Sequence, residues 1–218
     1  MIAANDTNWV DLLVGPAWEA LLVILLAAAA LAVIVRQPRW LQSLAANAGI
    51  SKLSLLGIEV ELKAAFKFRE LDEPDAETLR AFSVLGARLE PVVRGRGVLW
   101  IDDKPAGNRH EAGLLRRLGV QVEQVRCTQR AIPRLYEPSM SIDLVIANWT
   151  RPDDHVATGV DVIAALRNAG HDVPVLFYVG DASAERKADA AAAGAIGVTA
   201  VPDELLKLAL VELATASP

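Results

Sequence analysis

A single cysteine, Cys127, stands in 218 residues. One thiol closes no internal disulfide and builds no zinc site by itself, which excludes a small disulfide-stapled secreted fold. Basic charge is not in excess either, since 22 Lys and Arg face 27 Asp and Glu for a formal net charge of -5. With no positive surplus to track a phosphate backbone, nucleic acid is not expected among the partners. Charge is missing altogether from Ala20 to Val35. With 53% hydrophobic residues, the chain has enough apolar material to exclude a disordered polymer and to build one ordinary domain plus an appendage.

The uncharged run starts well and stops well for a helix. Pro16 suits the first helical position, because its missing amide hydrogen would be unpaired there anyway, and Pro38 forbids continuation. A helix over residues 16–37 is about 33 Å long at about 1.5 Å per residue, matching a hydrocarbon core of about 30 Å. Trp18 and Trp40 stand at its ends, where indoles favour the membrane interface. A soluble core helix would show a polar stripe, which Ala20–Val35 lacks. A cleaved signal peptide is the rival, with Ala27 to Ala32 offering small residues, but it lacks a positive leading region. Acidic Asp6, Asp11 and Glu19 lie on one side, and Arg36, Arg39, Lys52, Lys63, Lys67 and Arg69 on the other. The positive-inside rule therefore expects a single-pass protein of the inner or plasma membrane, with residues 1–15 as an extracytoplasmic tail and the rest cytoplasmic.

Residues 38–96 read as a juxtamembrane linker. Ile58-Glu-Val60-Glu-Leu62-Lys alternates apolar and polar, which predicts a half-buried strand, paired with Leu53–Leu56 across Gly57 or with another copy. Leu79, Phe82, Leu85 and Leu89 recur at steps of three or four and predict a helix ending at Pro91. That helix either lies on the following domain or forms a short self-association seam, the homo-oligomer reading.

From residue 97 to 215 apolar runs alternate with helical patterns five times. Strands are expected at Val98–Ile101, Val120–Val125, Ile142–Ala147, Val173–Val179 and Ile196–Ala200. Helices are expected at Glu111–Leu118, Gln129–Tyr136, Gly159–Asn168, Ala184–Ala193 and Glu204–Leu213, with Gly119 and Gly170 at helix ends. This (βα)5 order predicts an α/β fold, a flavodoxin-like doubly wound parallel sheet with its crevice at the carboxyl ends of the strands.

Those strand ends carry a resemblance. Val98-Leu-Trp-Ile-Asp102-Asp103-Lys-Pro, Asp143-Leu-Val-Ile-Ala-Asn148 and Ala193-Gly-Ala-Ile-Gly-Val-Thr-Ala-Val201-Pro202 resemble the first, third and fifth strands of the response-regulator receiver (CheY-like) domain over about residues 97–215. The resemblance implies a signalling fold in which the third strand ends in a phosphoacceptor aspartate, the fourth in Thr or Ser, and the fifth in Lys before Pro. Here those positions hold Asn148, Val179 and Val201. A carboxamide is a poor nucleophile and valine neither donates a hydrogen bond nor carries charge, so a degenerate pseudo-receiver without aspartyl phosphorylation is expected.

The resemblance also implies that Asp102 and Asp103 help hold Mg²⁺. With Asn148 they offer oxygens for a weak site at most, and no other cofactor is expected. Trp149, beside Asn148, either plugs the crevice or anchors a partner, and the plug is favoured. His110, His155 and His171 lack zinc spacing and read as surface residues, and Cys127 reads as a small buried hydrophobe. The glycines of Arg94-Gly95-Arg96-Gly97 precede the strand, unlike a dinucleotide fingerprint. Two functions follow: a membrane-anchored module that binds another protein, or an enzyme or small-ligand binder working from the Asp102 and Asp103 crevice.

Overall fold

Five short apolar runs become strands in the computed structural model, which describes residues 50–150 and 158–216. They are β1 (Gly97–Ile101), β2 (Gln121–Val125), β3 (Leu144–Ala147), β4 (Val175–Tyr178) and β5 (Gly197–Thr199). All neighbouring pairs are parallel, in the order β2-β1-β3-β4-β5, the doubly wound flavodoxin-like order that the five-fold alternation predicts. Parallel pairing demands a crossover between strands. Helices α3 (Arg109–Arg117), α4 (Thr128–Arg134), α5 (Gly159–Asn168) and α6 (Ala184–Ala192) supply them, and α7 (Pro202–Thr215) closes the chain.

Alternation along the strands splits the core in two. Val98, Trp100, Leu144, Ile146, Leu176 and Tyr178 face one cluster with α3 and α7, while Leu99, Ile101, Val145, Ala147, Val175 and Phe177 face the other with Val162, Ile163 and Leu166 of α5. β1, β3 and β4 are buried throughout because both faces are covered. β2 is an edge strand, and its Gln121, Glu123 and Gln124 remain at least partly exposed. At the opposite end from the crevice, the Gly97 amide donates to Asp143 Oδ2 at 2.7 Å, and Arg96 bridges Asp143 Oδ1 (3.2 Å) and the Ala216 carbonyl (2.6 Å). Gly119 and Gly170 end α3 and α5 at φ of 82° and 81°, a left-handed conformation that costs glycine little.

Two further helices precede the sheet: α1 (Ile50–Phe68) and α2 (Ala76–Val93). The strand expected at Ile58–Lys63 is thus part of a helix. The alternation spans only three apolar residues, whereas Ile58, Leu62, Ala65 and Phe66 form a stripe at helical spacing; these four are buried and Val60 is 60% exposed. Helix α2 begins with Asp75 accepting from the Thr78 amide at 2.7 Å and runs through Pro91 instead of ending there. A proline in the last turn removes one backbone bond, while the Arg94 amide still reaches Glu90 O at 3.0 Å. Leu79 and Phe82 bury in the chain's own core as α2 packs along α7. Ile58, Leu62, Phe66, Leu79, Phe82 and Val93 share one cluster with Val98 and Trp100, so the boundary expected at residue 96 is not a break in packing.

The tail of residues 1–15 and the span at 16–37 lie outside the described residues. Among the described residues, no helix is long and apolar enough to cross a membrane.

Candidate functional site

The carboxyl ends of β1 and β3 open on a cavity of about 470 Å³ that Asp102, Asp103, Lys104, Asn108, Asn148 and Thr150 line, with Phe68 and Arg69 contributed by the end of α1. Three of the residues singled out in the sequence therefore meet. Asp102 is 6% exposed, and both its oxygens are engaged, Oδ1 by the Lys104 amide (2.7 Å) and Oδ2 by Asn108 Nδ2 (2.8 Å). Asn148 is half-buried, and its Oδ1 accepts from the Trp149 amide at 2.8 Å. Asp103 has no side-chain partner among the described residues. The donor set fits a divalent cation poorly: the Asp102 carboxylate and the Asn148 carboxamide oxygen are already committed to protein donors. Among the described residues, no group of three His, Cys, Asp or Glu is placed to hold a metal.

Val179 and Val201 do not line this cavity. Val179 is 2% exposed, and Val201 packs against the sheet cluster shared with α7 while its amide donates to Thr199 Oγ1 at 3.0 Å. Trp149 is 9% exposed, with its ring at 5.1 Å from Phe177 in the cluster on the α5 side. It fills the wall behind the crevice.

The crevice holds instead a residue that no sequence motif marks. Arg69, the first residue after α1, donates from Nη1 to the Val179 carbonyl at the end of β4 (3.0 Å) and from Nη2 to Asn108 Oδ1 (3.0 Å). Its guanidinium carbon lies 3.6 Å from the centroid of the Tyr178 ring, and Nε stands 3.5 Å from Glu111 Oε1. Glu111 is 1% exposed and accepts from the Tyr178 hydroxyl at 2.6 Å, while its Oε2 is buried with no hydrogen-bond partner. Burial and then the Glu111 charge push the Tyr178 phenol far above its ordinary range, against the opposing pull of Arg69. Asn108 turns its other side-chain end to Asp102, so one amide links Arg69 to the strand-end carboxylate.

Glu111 is marked in the sequence by its place among the apolar residues of α3. It sits three residues before Leu114 and seven before Leu118, on the buried stripe of α3, where a carboxylate requires a partner. Tyr178 was legible only as a strand residue. The other singled-out residues lie elsewhere: His110 places Nδ1 at 2.8 Å from Glu61 Oε2 on α1, and half-buried Cys127 lines a smaller cavity with Asp103, Arg126 and Arg130.

Solved structures similar to this chain include receiver domains. The non-phosphorylated HemR receiver domain of Leptospira biflexa is 22% identical, covering 56% of this chain and 98% of its own at a TM-score of 0.47. The chemotaxis response regulator CheY4 of Vibrio cholerae is 24% identical, covering 54% and 98% at 0.44. A CheY-like receiver domain protein of Methanospirillum hungatei is 20% identical, covering 54% and 93% at 0.45. No protein-family model matches the chain, and no curated protein does.

Proposed function

We propose that the chain is a single-span membrane protein whose cytoplasmic receiver-like unit binds another protein without undergoing aspartyl phosphorylation. The observation that carries this reading is the strand-end crevice itself. Its third strand ends in Asn148, and the carbonyl that ends its fourth strand is taken by Arg69 of the same chain. Phosphoryl transfer to an aspartate needs a carboxylate nucleophile and groups that offset the charge arriving on the phosphoryl oxygens. Asn148 supplies no carboxylate, Val201 supplies no cation, and Arg69 has both terminal nitrogens committed to protein oxygens. The membrane part rests on the uncharged run from Ala20 to Val35 and the basic flank that follows.

The test is incubation of the full chain with acetyl phosphate and Mg²⁺, followed by intact mass and peptide mapping. The expected result is no added phosphoryl group between residues 97 and 218. A phosphoryl group mapped to the crevice residues overturns the reading.

A further inference from the structure

We infer that the crevice contains a guanidinium-reading slot, filled in cis by Arg69, through which the unit docks an arginine presented by a partner protein. The inference deepens the protein-binding reading and rests on it. It is tested by ligand binding instead of phosphoryl transfer, so the failure of one is distinguishable from the failure of the other.

Every group facing the Arg69 head is an acceptor or a π face. The Val179 carbonyl and Asn108 Oδ1 each take one terminal nitrogen at 3.0 Å, the Tyr178 ring lies beneath at 3.6 Å, and the Glu111 carboxylate closes the far side. The donors these residues carry, Asn108 Nδ2 and the Tyr178 hydroxyl, are spent on Asp102 and Glu111, so an anion is offered none. An ammonium offers three donors from a single point and does not stack, whereas a planar guanidinium directs five in a fork and lies flat on an aromatic face. The slot therefore selects arginine over lysine.

A second observation shows that the cis occupant does not complete the slot. Glu111 is 1% exposed, yet Oε2 has no partner and Nε approaches Oε1 only to 3.5 Å, longer than a well-formed hydrogen bond. Arg69 is tethered to the end of α1, and it does not make the two-pronged carboxylate pair that guanidinium favours. Glu70, at a φ of 57°, is the left-handed residue of the turn that ends α1, where the Leu71 amide reaches Phe66 O at 3.0 Å and the Glu70 amide reaches Lys67 O at 3.2 Å, so the backbone after Arg69 is fixed. An arginine arriving from outside is free of that tether. The tethered occupant keeps the advantage of high local concentration, so the slot stays closed until that occupant is displaced.

The experiment uses the purified full chain as wild type, Arg69→Ala, and Arg69→Ala with Glu111→Gln, titrated at equal ionic strength with ethylguanidinium or ethylammonium while the thermal midpoint is followed. Ethylguanidinium is expected to raise the midpoint of Arg69→Ala and leave the other two proteins unraised, with ethylammonium raising none. N-acetyl-arginine amide is expected to bind Arg69→Ala at least about tenfold more tightly than N-acetyl-lysine amide, consistent with the loss of a forked pair. Should Arg69→Ala be recovered unfolded, the yield of folded protein on refolding with each cation is the readout, and only ethylguanidinium is expected to increase it. Equal effects of the two cations, or no effect of either, overturn the inference and leave Arg69 a structural counter-ion.

Discussion

At Gly159 two ordinary rules for a single residue give opposite signs. Alanine in place of glycine favours a helix by about 1 kcal/mol in its interior and by less at the first position, which Gly159 holds in α5. A Cβ there would stand 2.6 Å from Trp149 Cε3 and 2.9 Å from Phe177 Cε1, ring atoms of two packed aromatics that cannot bend away. Overpacking of this kind costs about 1–3 kcal/mol, so packing wins. Gly159→Ala is expected to lower the urea midpoint, and an unchanged or raised midpoint would show that the Trp149 ring is not fixed behind Asn148. Individual residues also mark how far the sequence could be read. Asp102, Asp103 and Asn148 were legible because they terminate strands, and strand ends converge in a doubly wound sheet. Arg69 was not, because its partners lie 39 to 110 residues away and no local pattern encodes such a contact.

Among the elements, the strands and crossover helices after residue 97 were legible to within a few residues, since short continuous apolar runs alternate there with segments of helical spacing. Helix α1 was not. Ile58, Val60 and Leu62 satisfy the strand pattern, and what decides for a helix is the cluster into which Ile58, Leu62 and Phe66 pack. That packing is reinforced by polar contacts between α1 and α3, where Glu61 meets His110 at 2.8 Å and Arg117 at 3.2 Å. The hydrogen bond from His110 is the main cause holding the Glu61 carboxyl below its ordinary 4.5, with Arg117 adding to it and burial opposing. A carboxyl lowered in the folded state contributes stability above pH 4.5 and loses it as pH falls through the lowered value. Wild type is therefore expected to unfold at higher temperature than Glu61→Gln at pH 6, with the gap closing below pH 4.5. A gap that stays constant down to pH 3 would contradict this contact.

At the scale of the whole molecule, α1 and α2 are structural parts of the unit that holds the sheet, one compact body from Lys52 onward. In the proposed topology the chain leaves the membrane, runs through α1 and places Arg69 in the crevice before the sheet begins. The measurement that tests this most directly is a double-mutant cycle on the full chain, comparing Arg69→Ala, Glu111→Gln and the double variant in urea unfolding. Residues that share a buried charge contact couple by about 0.5–3 kcal/mol, and each single change leaves its partner uncompensated. A coupling in that range is predicted, with the double variant less destabilised than the sum of the singles. Strict additivity would mean that Arg69 does not occupy the crevice, and the account of a strand-end site closed by its own chain would fall with it.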